Sequence, residues 1–110
     1  MQKREVLRIA RKYGLDMSGI TVKIQRSESL LSLAISGSTD YFNIGRIDLF
    51  PNAFLNEESL IRTLIHEKTH VAQLKKYGVK YAQDNIAHME KQAYRLENIF
   101  YLALKKRLKE

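Results

Sequence analysis

The sequence contains no cysteine and no tryptophan, a single proline and only three histidines. The lack of cysteine excludes disulfides and thiolate metal sites, so that any metal would have to be held by histidine, aspartate or glutamate. The longest apolar run, residues 99–104, is far shorter than the roughly 18 residues that a membrane span needs. The N-terminal residues contain no apolar signal-peptide core. These absences predict a soluble, cytoplasmic protein that does not associate with membranes.

The composition indicates one globular domain, residues 1–110. Hydrophobic residues make up 45% of the chain and charged residues 28%, which is typical of a folded protein of this length. The net charge of +7 is a feature of many nucleic-acid-binding proteins. Here, however, the basic residues are spread along the chain and mixed with acidic ones, so we interpret them as a solvated surface and predict no nucleic-acid partner.

The pattern of apolar and turn-forming residues predicts an α+β fold. It has an N-terminal helix, a three-stranded sheet, a helix that carries the motif HEKTH and a C-terminal helix. The predicted elements are a helix over 3–13, strands over 20–24, 29–36 and 41–50, a turn over 37–40, a helix over 57–77 between Asn56 and Gly78, a connector over 79–84 and a helix from about 85 to 108.

Two of the three histidines lie in HEKTH, from His66 to His70. An α-helix turns about 100° per residue, so these two side chains point the same way, one turn apart. Both imidazoles can then bind one Zn²⁺ at about 2.0–2.1 Å. Glu67 lies one step round the helix and is placed to act as the base for a water at an open coordination position. The polar face that carries the histidines lies between two apolar flanks, as a metal cleft requires.

A third ligand is predicted on the C-terminal helix. Glu90 and Glu97 are embedded there in an apolar stripe, and buried carboxylates are costly unless they have a partner. We therefore predict Glu90 as the third ligand. His88 lies about 160° round the helix from Glu90 and is predicted to face solvent. The apolar positions within about 60° of Glu90 are Ile86, Ala87, Ala93, Tyr94, Tyr101 and Leu104.

Two interpretations stay open at this point. HEKTH by itself also fits five polar residues on an ordinary helix. Glu97 can accept the free N–H of a ligating histidine, as outer partners of metal sites commonly do. It can equally form a salt bridge with a lysine or an arginine.

HEKTH followed by Glu90 within EKQAY resembles the gluzincins, which are zinc metallopeptidases with an HExxH helix and a glutamate on a following helix. The chain is most similar to the minigluzincins, minimal soluble relatives of the catalytic domains of integral-membrane peptidases of the CAAX-processing type. The resemblance covers mainly residues 57–97. It implies a zinc-dependent endopeptidase whose substrates are peptides or proteins.

The resemblance also implies individual roles. His66 and His70 match the paired histidine ligands, Glu67 the general base and Glu90 the glutamate ligand. Relatives often carry an aspartate just after a small residue on the second helix, where it orients a histidine. The residue at that position here is Tyr94, and Glu97, one turn later, is the candidate to take over the orienting role. Two further matches are Gln73, in an HExxHxxQ extension, and Ala93, the small residue between the helices.

The predicted reaction is hydrolysis of a peptide bond. Zinc polarises the scissile carbonyl and a water, while Glu67 takes the proton of that water and returns it to the leaving amine. An edge strand is expected to hold the extended substrate. The segment YFNIGRIDLF, residues 41–50, is predicted to be that strand.

The C-terminal segment 98–110 has two interpretations. Its apolar positions and basic end fit a helix that completes the core. The resemblance to the minigluzincins implies instead a zymogen whose C-terminal segment blocks the cleft, within one chain or by exchange in a homodimer. In that case a carboxylate such as that of Glu110 is a candidate to reach the zinc.

A different class of function is also compatible with these residues. The same helices and the same three ligands would serve a zinc-binding scaffold or regulator that cleaves nothing. Turnover of an unstructured protein distinguishes this alternative from a peptidase.

Overall fold

A computed structural model of the chain describes residues 1–27 and 34–109. The predicted α+β class is confirmed, because helices and a small sheet pack as one unit. No helix within the described ranges is long and apolar enough to cross a membrane. The elements are α1 Lys3–Lys12, β1 Thr21–Ile24, β2 Gly37–Thr39, β3 Arg46–Leu49, a 3-10 helix Pro51–Phe54, α2 Glu57–Tyr77, α3 Val79–Asp84 and α4 Ile86–Lys109.

The sheet has the order β1-β3-β2, with β1 parallel and β2 antiparallel to β3. The predicted edge strand 41–50 is therefore wrong in two respects. Only Arg46–Leu49 is a strand, and it is the central one, with Ile47 and Leu49 fully buried. Residues 41–45 form a turn instead, because the Asp40 carboxylate accepts hydrogen bonds from the backbone N–H of Phe42 and of Asn43.

The edge position next to α2 belongs to β2, where a turn over 37–40 was predicted. The predicted strand 29–36 lies mostly outside the described residues, and its last three positions, 34–36, are not a strand. Close packing holds β2 in place. A Cβ atom on Gly37 would lie 2.9 Å from both the Asp48 carbonyl oxygen and the Thr63 Cγ2 atom. Glycine at this position therefore lets β2 approach α2 closely.

The helix α2 begins and ends where the sequence predicts. The Asn56 side chain accepts the Ser59 N–H at 2.8 Å and caps the first turn. Gly78, with φ of +87°, ends the helix, since this backbone conformation favours glycine. Most of both apolar flanks is buried, and so is the middle of the polar face, which carries the histidines. The buried residues of α2 are Leu60, Ile61, Thr63, Leu64, Ile65, His66, Glu67, His70, Val71, Gln73 and Leu74.

The C-terminal part of the fold differs from the prediction in two details. Residues 79–84, predicted as a connector, form the short helix α3. In α4 the buried residues are Met89, Ala93 and Tyr101, whereas Ile86, Ala87 and Tyr94 from the predicted apolar stripe are exposed. Ala93, Tyr101 and Leu104 confirm part of the stripe, whereas Tyr94 is exposed because it borders an open cleft rather than packed protein.

Candidate metal centre

The helix α2 presents His66 and His70 to the same side of the molecule. Both side chains are buried, with 7% and 9% of their residue surface exposed. The two Nε2 atoms lie 3.2 Å apart, and the ring planes meet at 74°. This arrangement follows from the spacing of four residues, which places the two side chains one above the other on consecutive turns.

The helix α4 brings Glu90 to the two imidazoles. Its Oε1 atom lies 3.4 Å from His66 Nε2 and also contacts His70 Nε2. Ala93 is fully buried, and its small side chain allows α4 to pack closely against α2. The Glu90 side chain keeps 41% of its surface exposed, so the group opens towards solvent on the glutamate side.

Two of the three pairs of candidate ligand atoms have the spacing that a tetrahedral metal ion requires, while Glu90 Oε1 lies closer to His70 Nε2 than that geometry allows. Metal–ligand bonds of about 2.0–2.1 Å place the ligand atoms of a tetrahedron about 3.3 Å from one another. The distances of 3.2 Å between the Nε2 atoms and 3.4 Å from His66 Nε2 to Glu90 Oε1 agree with that value. His66, His70 and Glu90 therefore form a group that could hold a metal ion.

The tautomer of His70 is fixed by Gln73. The Gln73 amide nitrogen donates to the Met89 carbonyl at 3.0 Å and to Gln92 Oε1 at 2.8 Å. Gln73 Oε1 therefore faces His70 Nδ1, at 2.8 Å, and accepts a hydrogen bond from the Nδ1–H group. With the proton on Nδ1, the neutral imidazole directs the lone pair of Nε2 into the centre.

The tautomer of His66 is fixed in the same way by Glu97. His66 Nδ1 lies 3.1 Å from Glu97 Oε1, while Glu97 Oε2 lies 3.5 Å from Arg62 Nη1. The Glu97 carboxylate thus contacts a histidine and an arginine at once, so both interpretations of Glu97 apply. Sequence reasoning missed Arg62, although its spacing of four residues from Glu58 signals the ion pair observed between them at 2.9 Å.

Three acceptor atoms consequently converge on one point. Two imidazole lone pairs and a carboxylate oxygen repel one another unless a cation or a proton lies between them. A divalent cation satisfies all three, and a donor set of two nitrogens and one oxygen suits zinc, cobalt or nickel. The residues present therefore fit a metal ion of this kind.

The carboxylate of Glu67 lies beside this group and is hydrogen-bonded to Thr39. Thr39 on β2 donates its hydroxyl proton towards Glu67 Oε1, at 2.9 Å. Burial raises the pKa of Glu67, and the Thr39 hydrogen bond opposes this shift in part. A carboxylate with a raised pKa is better suited to accept a proton near neutral pH than an exposed one. Sequence reasoning missed Thr39 because it expected a turn at this position.

The group lies in a cleft between β2 and the two long helices. The volume of the cleft is about 520 Å³. Tyr94 borders the cleft with 62% of its surface exposed, and its ring meets that of His66 edge-on, with 4.5 Å between the ring centres. Tyr94 therefore contacts the candidate ligand His66 through its ring, whereas Glu97 does so through a hydrogen bond. His88 is exposed on α4 and lies outside the group.

Comparison with protein families, with curated proteins and with solved structures gives no match to this chain. The resemblance to the minigluzincins therefore stays a prediction from the motif. What the chain can do follows from the geometry of the cleft and the chemistry of the side chains that line it.

Proposed function

We propose that the protein is a zinc-dependent metallopeptidase of the gluzincin type, which hydrolyses peptide bonds. One observation carries the proposal. Three acceptor atoms, from His66, His70 and Glu90, converge in an open cleft, and the buried carboxylate of Glu67 lies next to them. A purely structural metal site is normally closed by four protein ligands, whereas three ligands beside a base are typical of a catalytic site.

The residues divide the chemistry between them. His66, His70 and Glu90 would hold the zinc, which supplies Lewis acidity towards a water and the scissile carbonyl. Glu67 accepts a proton from the attacking water and returns it to the nitrogen of the breaking C–N bond, so that an acid and an amine leave. Thr39 positions the Glu67 carboxylate through its hydroxyl group, at 2.9 Å.

The substrate we propose is an extended polypeptide that lies along β2. This strand forms an edge of the described sheet, and residues 37–39 line the cleft that contains the three ligands. A peptide in β conformation can pair with the backbone of such an edge. The strand next to the centre is therefore β2, and not the segment 41–50 that the sequence favoured.

Hydrolysis of casein tests the proposal directly. The zinc-loaded protein is expected to release acid-soluble fragments from fluorescently labelled casein, and an excess of a zinc chelator is expected to stop this release. Adding zinc back should restore the rate, because the three ligands rebind it. The assay measures fluorescence in the acid-soluble fraction over time.

Two outcomes of this assay would contradict the proposal. If the protein binds one zinc per chain and stays folded but cleaves no casein, also after shortening at its C-terminal end, the alternative function as a zinc-binding scaffold is supported instead. If the chelator does not affect the rate of cleavage, the zinc chemistry is wrong.

Glu97 is expected to strengthen zinc binding through His66. A Glu97→Gln variant keeps the shape and an oxygen acceptor but removes the charge that pairs with Arg62 and with the imidazole N–H. Loss of such an outer partner typically lowers metal affinity about 10- to 100-fold. Competition for zinc with a chromophoric chelator measures the change, and an affinity equal to that of the parent contradicts this role.

The predicted blocking role of segment 98–110 stays a prediction. Its described part belongs to α4, where Tyr101 is buried and Leu104 packs against the core, and residues 98–109 do not line the described cleft. A chain that ends at Lys105 keeps both core contacts. If the removed end restrains the cleft of a second copy, the shortened chain cleaves casein faster than the parent. Equal rates over a range of protein concentrations contradict the restraint.

A further inference from the structure

Phe42 is the most exposed of the large apolar side chains that the structure describes, with 93% of its surface accessible to solvent. It lies in the turn between β2 and β3, directly after Tyr41, whose side chain lines the cleft. Tyr41 also packs against the buried cluster of Leu74, Ala82 and Met89. Of these two neighbouring aromatic residues, Tyr41 therefore lines the cleft, and Phe42 is exposed to solvent outside it.

The turn that carries Phe42 is firmly held. Asp40 Oδ1 accepts the N–H of Phe42 at 2.8 Å and that of Asn43 at 3.0 Å. The Arg46 N–H donates to the Asn43 carbonyl at 3.1 Å, and the Gly45 carbonyl accepts the Thr21 N–H at 2.8 Å. These bonds fix the backbone on both sides of Phe42. The backbone at Phe42 is thus already ordered, which lowers the entropy that a partner must overcome on binding.

Phe42 lies only a few residues along the chain from a residue that contacts the proposed base. Thr39 contacts the Glu67 carboxylate. Because Thr39 precedes Phe42 by three residues, the Cα atoms of the two residues are at most about 11 Å apart. A peptide extended along β2 advances about 3.3 Å per residue. Such a peptide would therefore reach Phe42 within at most about three residues of the residue held beside Thr39.

Two further exposed side chains with apolar surface border the cleft. Ile35 lies before β2 and Tyr94 lies on α4, with 48% and 62% of their surfaces exposed. Both line the cleft itself. Apolar surface therefore lies before β2 at Ile35, after β2 at Phe42 and on α4 at Tyr94, and a substrate with spaced apolar side chains would cover it.

We propose that Phe42 is a binding site outside the cleft for an apolar side chain of an extended polypeptide, within about three residues of the residue that lies beside Thr39. This inference rests on the proposed function, because it takes the occupant of the cleft to be a peptide. It names the substrate class as unfolded segments with spaced apolar residues. Short peptides that end within the cleft do not reach the site.

A binding measurement with an uncleaved complex tests the site. The protein is the zinc-loaded Glu67→Gln variant, and the probe is a fluorescein-labelled peptide of about 12 residues with leucines on both sides of its centre, long enough to pass the rim. A second probe carries serine in place of each leucine. Fluorescence anisotropy gives the dissociation constant of each probe.

The Phe42→Ser change is expected to weaken binding of the leucine probe about tenfold, since burial of a phenylalanine side chain on a partner is worth at least that factor. Binding of the serine probe should not change. A Phe42→Leu variant should retain most of the affinity for the leucine probe. The matched control is Phe100→Ser on α4, a half-exposed phenylalanine that does not line the cleft.

Each outcome decides one question. Equal affinity of the parent and of Phe42→Ser for the leucine probe overturns the inference, and so does an equal loss for both probes. If casein is cleaved but peptide binding does not depend on Phe42, the inference fails while the proposed function stands. If binding depends on Phe42 but no cleavage occurs, the proposed function fails while the site remains.

Two other occupants of the Phe42 site have their own signatures. A second copy of the chain would give a dimer in sedimentation velocity that Phe42→Ser converts to a single chain. A lipid surface would give binding of the parent to vesicles that this change abolishes. Either result overturns the inference. The melting temperature of Phe42→Ser should equal that of the parent, because the side chain makes little contact within the chain.

Discussion

The Glu67→Gln variant, loaded with zinc, is expected to cleave casein about 10²- to 10⁴-fold more slowly than the parent, the range that a general base contributes. Glutamine has the same shape but cannot accept the proton of the attacking water. Thr39 can still donate to its side-chain oxygen, so the fold and the cleft should persist. Rates measured at saturating zinc, together with the zinc content of each sample, separate loss of the base from loss of the metal.

The matched control is Glu5→Gln, which makes the same chemical change at an exposed position on α1. It should leave the rate of cleavage unchanged. If Glu67→Gln retains its zinc and cleaves casein within a few-fold of the parent rate, Glu67 is not the base. The proton would then have to be accepted by another group in the cleft.

The Glu90→Ala variant is expected to lose zinc binding by a larger factor than Glu97→Gln, because it removes a direct ligand rather than an outer partner. Activity should fall with the zinc occupancy. Zinc should raise the melting temperature of the parent, as any ligand that binds only the folded state does, but not that of Glu90→Ala. The measurements are a competition titration for the affinity and thermal unfolding with and without zinc.

The control for Glu90→Ala is Lys91→Ala, an exposed change at the next position of the same helix. It should bind zinc as the parent does. Removing Glu90 should not lower the stability of the metal-free protein, since this side chain is 41% exposed and its carboxylate faces two imidazole lone pairs. Unchanged zinc affinity of Glu90→Ala would show that α4 does not supply the third ligand.

The long helices could be predicted from the sequence because their signals are local. The Asn56 cap, the two apolar flanks of α2 and the stop at Gly78 all act within a few residues of their position. The spacing from His66 to His70 likewise determines their mutual geometry once a helix forms. The short α3 was missed because residues 79–84 are too few to show helical periodicity.

The sheet could not be predicted in detail because contacts between distant residues determine it. Residues 37–39 are Gly, Ser and Thr, which favour a turn by themselves. They form β2 because they pair with β3 and because Gly37 fits closely against Thr63 on α2. The turn after β2 was mistaken for strand since Tyr41, Phe42 and Ile44 have apolar side chains that suit a strand.

In the candidate site, too, residues with a local sequence signal could be predicted, whereas residues that act through contacts between elements could not. His66, His70 and Glu90 were named from the motif and from the expectation that Glu90 is buried and needs a partner. The structure brings all three together, although the Glu90 side chain is 41% exposed and not buried. Thr39 and Arg62 were not named. Each acts through a contact between elements, Thr39 across from β2 and Arg62 across to α4. No spacing along the chain reveals such contacts.

The central claim is that one divalent cation is held by two imidazoles of α2 and one carboxylate of α4. X-ray absorption at the zinc edge, on protein dialysed to constant metal content, tests it most directly. We predict one zinc per chain with two imidazole nitrogens and one carboxylate oxygen at about 2.0–2.1 Å, and an unchanged spectrum for His88→Ala. A parent chain that retains no zinc, or a zinc whose spectrum depends on the exposed His88, would contradict the account.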